Sequence, residues 1–382
     1  MDISIIGGGP IGCYLGFLLA KQKTKNSKID SITIFEEHKD IGKPVQCTGI
    51  ISKNLFDIIP KKHAAKFIIN EIKGTIIHSR NEKLELRTNK VQAVVVDRTK
   101  MDNWFAEQAR KAGVKIRTNH KLKTIKEIKG KNKIKNKSRN NYALFLENNG
   151  KMIPHNTDII IGADGPQSTV AKNTGLWQDR KFLVGIQARV KGNFDPTVCQ
   201  LFLGTVCPDF FAWIVPESSN IARIGLATKK NPNARFKRFL RQLSKKIKII
   251  EMQGGLIPLY ENIKVQKNNV FLVGDAALQV KQTTGGGIVM GLLAAECLVK
   301  SFISKAQYKD LLQRKISNDL ELTKKLRDKM NKFSDKKYDA LIRTMNKPKN
   351  KKLLQQHGDM DFPTKFAFKL FIRNPQLLRF LF

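Results

Sequence analysis

The sequence predicts an α/β fold made of a Rossmann-type unit, an inserted antiparallel β-sheet and a C-terminal helical region. Three observations carry this. The apolar run Ile3-Ser4-Ile5-Ile6 leads directly into Gly7-Gly8-Gly9-Pro10-Ile11-Gly12. Two further strand-then-turn motifs lie far downstream: Asp158 to Ile161 before Gly162-Ala163-Asp164-Gly165, and Asn269 to Leu272 before Val273-Gly274-Asp275-Ala276-Ala277. Between these two, residues 181–228 hold consecutive strand-like runs without helical periodicity, which reads as an inserted antiparallel sheet.

Taken in order, residues 2–37 read as strand, helix and strand. Thr75-Ile76-Ile77-His78, Leu84-Glu85-Leu86 and Ala93-Val94-Val95-Val96 have strand character, and 99–112 reads as a helix stopped by Gly113. Residues 114–161 read as strands around a Lys/Asn-rich tip over 126–141, a solvated hairpin end. Strand-like pieces cover 182–190, 198–203, 210–215 and 221–227. Residues 233–250 read as a basic helix, and 294–346 is helical and rich in Lys and Leu. The tail, 362–382, mixes Phe and Leu with Lys365, Lys369, Arg373 and Arg379, and is broken by Pro363 and Pro375. The expected units are 1–70, 99–178 and 265–300 (cofactor), 71–98 and 179–264 (substrate sheet), and 301–382 (helices with a tail suited to a membrane surface).

Composition narrows the function classes. Apolar residues make up 41% of the 382-residue chain, enough for substantial cores. The formal net charge of +38 reads first as a lysine-rich composition and, as a functional feature, favours nucleic acid, anionic lipid headgroups or phosphorylated substrates. The lysines are spread over the whole chain rather than interleaved with aromatic residues, so no nucleic-acid partner is expected. The five cysteines form no CxxC pair and are odd in number, so neither a disulfide framework nor a metal site is read. No signal peptide is read, and no apolar run reaches the roughly 18 residues of a membrane span. The expected location is the cytoplasm, with peripheral membrane association.

The motifs specify a cofactor. Gly7, Gly9 and Gly12 are the glycines of GxGxxG: one for the turn, one for close approach of a diphosphate, one for helix–strand packing. Glu36, 24 positions after Gly12, suits the ribose hydroxyls of an adenosine. A nicotinamide cofactor alone needs no further motif. Gly274-Asp275 suits the ribityl and diphosphate part of a flavin. Gly286, Gly287 and Ile288, in Thr283-Thr284-Gly285-Gly286-Gly287-Ile288, offer bare amides at a helix start to its pyrimidine edge. Asp164-Gly165, followed by Ser168 and Val170, is expected to bridge the cofactor domain and the active site, and Arg98 is placed beside the flavin. The cofactor predicted is FAD.

With these residues the chain resembles the geranylgeranyl reductase family, flavoproteins built like para-hydroxybenzoate hydroxylase. Ile41-Gly42-Lys43-Pro44-Val45-Gln46-Cys47-Thr48-Gly49 is similar to the family's CxG loop. Pro208 to Pro216 is similar to its PxxYxWxFP motif, with Phe211 in place of Tyr and Val215 in place of Phe. Gly274 to Ile288 is similar to its cofactor segment. The resemblance covers roughly residues 1–300. It implies saturation of geranylgeranyl chains, here on archaeal-type ether phospholipids, with a ferredoxin-like carrier or NADPH as external electron donor.

That reaction sets requirements. An isolated trisubstituted alkene is electron-rich, so a proton must reach the less substituted carbon as hydride reaches the tertiary one. The site therefore needs reduced flavin, a long apolar slot and a proton donor. Pro208, Phe211, Trp213 and Pro216 are the candidate slot residues. Cys47 is the candidate acid and, with Gly49, a cofactor contact. A flavin-dependent aromatic monooxygenase is the alternative within the fold, and a basic RNA-binding flavoprotein the remote one.

Overall fold

The computed structural model describes residues 1–23, 28–128, 141–243, 246–304, 306–364 and 380. Most of the hairpin tip read at 126–141 and most of the tail read at 362–382 lie outside these residues.

The first unit is built on a six-stranded sheet. Its five parallel strands run in the order Val270–Leu272, Ile159–Gly162, Asp2–Ile6, Ser31–Phe35 and Lys115–Arg117, with Gln266–Lys267 antiparallel on one edge. Its central strands are buried almost throughout, as expected of a sheet covered on both faces. The period of two sorts their side chains. Ile3, Ile5, Ile159 and Ile161 face a core shared with helices Pro10–Lys23, Arg98–Lys111 and Ile288–Ile303. Ile160, Phe35 and Leu272 face a core shared with the antiparallel strands Lys121–Glu127 and Tyr142–Asn148. Asp97 caps the second of these helices, accepting from the Lys100 N–H at 3.0 Å.

The second unit is a seven-stranded sheet in the order Lys248–Pro258, Phe182–Lys191, Ile221–Thr228, Ala212–Pro216, Val198–Phe202, Gly74–His78 and Lys83–Arg87. Only the contact between Val198–Phe202 and Gly74–His78 is parallel. The helix expected over 233–250 is shorter. It spans Pro232–Gln242 and buries Phe236 and Phe239 against the sheet, whereas Lys248–Pro258 is a strand. Pairing along Phe182–Lys191 supplies the backbone hydrogen bonds of this β-branched segment, so tertiary context overrides the local reading.

The C-terminal helices, from Tyr308–Leu312 to Pro348–His357, close over both units. Asp361 accepts from the Lys281 ammonium and the Ser52 hydroxyl, and Asn54 Nδ2 donates to it at 2.9 Å. Lys281 and Asp361 are buried, with side-chain exposures of 6% and 1%. Removing one partner of such a pair strands the other charge. Asp361→Ala is therefore expected to lose about 3–5 kcal/mol of stability, measured by urea denaturation of the holoprotein; a loss below about 1 kcal/mol would mean that the pair is solvated.

Candidate active site

The glycine turn defines the diphosphate end. Gly7 has φ +106° and donates its N–H to the Phe35 carbonyl at 2.8 Å, joining the turn to the neighbouring strand. A Cβ on Gly7 would lie 2.2 Å from the Ala163 carbonyl oxygen, and one on Gly12 2.1 Å from that of Gly7. A Cβ on Gly9 would meet nothing within 4 Å. Gly7 and Gly12 are thus required by packing, while Gly9 borders open space at a helix start that has no acid in its first turn. Such a terminus attracts an anion. Glu36 stands at its mouth: one carboxylate oxygen accepts from the Gly8 N–H at 2.7 Å, the other from the His38 N–H at 2.9 Å.

Asp164 has a different local duty from the one its motif suggests. Its carboxylate accepts from the Ser168 hydroxyl at 2.7 Å and the Val170 N–H at 2.9 Å, closing the turn before helix Thr169–Thr174. Burial pushes this carboxyl above its ordinary value against those hydrogen bonds. Gly165, with φ +74°, borders open space.

The third motif converges on the first. A Cβ on Gly274 would touch Ile11 at 3.3 Å, so this turn lies against the start of the first helix. Asp275, partly buried, has no side-chain hydrogen-bond partner among the described residues, and burial pushes its carboxyl up to about 6 against the opposing field of Arg98. Gly287 precedes helix Ile288–Ile303, which no side chain caps. Its first amides therefore remain available to an acceptor. A Cβ on Gly287 would lie 2.8 Å from Asp275 Oδ1, and one on Gly286 3.1 Å from Lys281 Cε. An open diphosphate cradle, an unpartnered carboxylate and an uncapped helix start are the features a flavin dinucleotide fills, so these residues fit FAD.

The unpartnered carboxylate has a measurable cost. Folded Asp275 binds its proton more tightly than the unfolded chain does, so stability falls as pH rises from the ordinary carboxylate value to about 6. Apo Asp275→Asn is expected to exceed the apo wild type by about 1–3 kcal/mol at neutral pH. The gain vanishes at pH below about 4. Equal urea midpoints at neutral pH would show that Asp275 is satisfied.

Arg98, whose field reaches Asp275, also lies beside the Cys47 loop. It donates to both oxygens of Asp102 at 3.1 and 2.9 Å. Burial opposes its charge, but Asp102 and the neighbouring Cys47 sulfur outweigh that and hold the guanidinium protonated, above its ordinary value. Cys47 is partly exposed, unlike the other four cysteines, and its sulfur accepts from the Gly49 N–H at 3.3 Å. Gly49, at φ +74°, needs its bare Cα because a Cβ would lie 2.6 Å from the Val96 carbonyl oxygen.

A polar chain links this loop to the aromatic strand. The Thr48 hydroxyl donates to Gln187 Oε1 at 2.8 Å, and Trp213 Nε1 donates to the same oxygen at 3.3 Å. Phe211 and Trp213 lie edge-to-face with ring centres 6.0 Å apart. The remaining two slot candidates lie apart from them. Pro208 is exposed in the preceding turn, and Pro216 is at the far end of the strand, its carbonyl accepting from Asn70.

Three residues absent from the sequence reading hold these parts together. Gln187 forms the link just described. Arg223 donates to the Thr48 carbonyl at 2.7 Å and the Cys47 carbonyl at 3.2 Å, while its Nε donates to buried Glu217 at 2.7 Å. Arg327, buried in the helix Asn318–Met330, donates to the carbonyls of Gln282, Thr283 and Phe210 at 3.0–3.1 Å. It thereby ties the glycine-rich loop to the aromatic motif. A polar residue between apolar neighbours, in Ile186-Gln187-Ala188 and Ala222-Arg223-Ile224, was the available signal for Gln187 and Arg223. Nothing distinguishes Arg327 within a Lys-rich helix.

Comparison with known proteins agrees with this geometry. The family model described as FAD binding domain matches residues 1–198. An uncharacterized protein of Methanocaldococcus jannaschii is 29% identical over 97% of this chain and 94% of its own length. A digeranylgeranylglycerophospholipid reductase of Methanosarcina acetivorans is 29% identical over 77% of this chain and 73% of its own. Among solved structures, a geranylgeranyl bacteriochlorophyll reductase-like protein of Thermoplasma acidophilum superposes with a TM-score of 0.84 at 21% identity, covering 100% of this chain and 99% of that one. The resemblance read from the CxG loop, the aromatic motif and the Gly274–Ile288 segment is thus borne out. The chain belongs to the FAD-binding-domain family and is an FAD-dependent oxidoreductase.

Proposed function

We propose that the protein saturates carbon–carbon double bonds in the geranylgeranyl chains of ether phospholipids. The observation that carries this reading is the arrangement around Cys47. A partly exposed thiol lies beside Arg98 and, through Thr48 and Gln187, beside an aromatic wall of Phe211 and Trp213.

FAD, when bound, supplies the hydride and is recharged by an external reductant, a ferredoxin-like carrier or NADPH. The chain's own residues do the rest. Gly7, Gly9, Gly12, Glu36 and Gly165 would receive the dinucleotide, with Asp275 available to a ribityl hydroxyl. The amides of Gly286, Gly287 and Ile288 would serve the pyrimidine edge, because a helix start stabilises negative charge. Arg98 orients the Cys47 loop toward the reacting end. Phe211 and Trp213 exclude water from one side of the alkene. The Cys47 thiol delivers the proton to the less substituted carbon, and Arg98 stabilises the thiolate left behind. Phe211 carries no hydroxyl, so the aromatic wall offers no competing proton donor at that position. The lipid substrate brings the enzyme to an anionic membrane surface.

Product analysis tests the reading. After anaerobic incubation of dithionite-reduced holoprotein with digeranylgeranylglyceryl phosphate, the recovered lipid should have gained two hydrogens per saturated bond. Unchanged lipid with FAD present would overturn the assignment of substrate.

A further inference from the structure

The charge and the apolar surface of the substrate sheet concentrate at one place. Residues 229–250 contain nine Lys and Arg and no Asp or Glu. The first half of this stretch is the helix Pro232–Gln242, which buries Phe236 and Phe239 and exposes Lys237, Arg238 and Arg241. The second half enters the strand Lys248–Pro258, at the edge of the seven-stranded sheet. Ile249, Ile250 and Met252 on that strand are 47%, 49% and 50% exposed. The ladder slips between Arg189 and Val190, leaving Ile250 as an extra residue, so the usual inward–outward alternation is lost here. Lys246, Lys248 and Lys191 are exposed around the three apolar side chains, and Glu251 is the sole acid of the strand. Ile247 packs over Gly192 at the same end of the sheet, which brings the helix exit and the strand entry together.

We infer that this corner is a docking face for an anionic lipid bilayer, with Ile249, Ile250 and Met252 entering the interface and the surrounding cations meeting headgroup phosphates. Charge complementarity selects the partner. A basic surface with an apolar centre supplies the two signals that stable peripheral binding needs, since each cation near an anionic surface adds to the attraction. Single-stranded nucleic acid is the other polyanion such charge attracts, but it requires exposed rings for stacking. The aromatic residues here, Phe236 and Phe239, are buried.

The position of the face relative to the site strengthens the inference. Three residues beyond Ile250, about 10 Å along a strand, Gln253 Oε1 accepts from Gln187, the residue that links Thr48 to Trp213. A Cβ on Gly255 would touch Gln46, next to Cys47, at 3.0 Å. The strand therefore runs from the docking corner to the candidate reacting end. This extends the lipid reading of the site, but it is tested without prenyl chains, so either can fail without the other.

Holoprotein is sedimented with vesicles of dioleoyl phosphatidylglycerol and phosphatidylcholine, and with phosphatidylcholine alone. Wild type should bind the first and not the second. The combined variant Ile249→Ser, Ile250→Ser and Met252→Ser, unchanged in charge, should bind at least about tenfold more weakly while retaining FAD. Met152→Ser, which removes an exposed apolar side chain elsewhere, should bind like wild type. Fluorescence of Ile250→Trp should be quenched by brominated acyl chains beyond the wild-type background. Equal binding by the combined variant, no quenching, or retention on single-stranded RNA without vesicle binding would each overturn the docking face.

Discussion

Replacing Gly9 by alanine should give a folded protein that no longer holds its flavin. The new Cβ meets no protein atom within 4 Å, and Gly9 is not among the residues with positive φ, so the fold has no objection to it. It does occupy the open space at the helix start, where we propose that the diphosphate is received. FAD affinity should fall about 100-fold, equivalent to about 2.7 kcal/mol. The apoprotein should unfold within a few tenths of a kcal/mol of wild type. Gly12→Ala is the contrast: its Cβ would lie 2.1 Å from a backbone oxygen, so it should unfold the first unit rather than empty it selectively. Titration of both apoproteins with FAD, alongside urea denaturation, separates the two. Wild-type affinity in Gly9→Ala would mean that the diphosphate lies elsewhere.

The second large effect is expected at Cys47. Cys47→Ala should leave FAD content and reduction by dithionite unchanged, because Arg223 holds this loop through backbone carbonyls and Asp102 holds Arg98 without the thiol. The step that needs a proton should slow by about 10²–10⁴-fold, the usual contribution of a positioned acid. Cys47→Ser, which keeps a donor of similar size but much weaker acidity, should recover only a small part. Reoxidation of reduced Cys47→Ala by prenyl lipid at the wild-type rate would assign the proton to another group. Loss of FAD in that variant would instead make the cysteine a positioning residue.

Both of these sites can be found from short local motifs. Gly7, Gly9, Gly12, Gly274 and Gly287 are legible in the sequence because each sits in a short glycine-rich motif, even though Gly7, Gly274 and Gly287 pack against distant segments. The same holds for Cys47-Thr48-Gly49, where resemblance to a family loop adds what spacing alone cannot. Function at a distance leaves no local trace. Arg327 reaches the carbonyls of Phe210, Gln282 and Thr283, 44 to 117 positions away, and the Lys281–Asp361 pair joins residues 80 apart. Asp164 shows the converse. Its motif is plain, but its carboxylate is engaged in capping the turn that follows. The strand Lys248–Pro258 was hidden because a Lys/Ile-rich segment satisfies helical and extended readings equally until its partner, Phe182–Lys191, is known.

The aromatic motif also differs in the structure from the picture drawn on the sequence alone. Four residues of Pro208 to Pro216 were expected to line the slot, yet Phe211 and Trp213 lie together while Pro208 and Pro216 flank them at separate places. The prolines punctuate the strand, and the aromatic pair packs in the core of the sheet. The polar contact between Trp213 and Gln187 fixes the indole ring, because a buried N–H must find an acceptor.

One measurement bears most directly on prenyl reduction. Holoprotein is reduced anaerobically with stoichiometric dithionite and mixed in a stopped-flow instrument with digeranylgeranylglyceryl phosphate, with the fully saturated lipid as control. The account predicts return of the oxidised flavin spectrum with the unsaturated lipid alone, in a single turnover that Cys47→Ala slows. A flavin that stays reduced with both lipids until oxygen is admitted would contradict it and point to oxygen-dependent hydroxylation in the same fold.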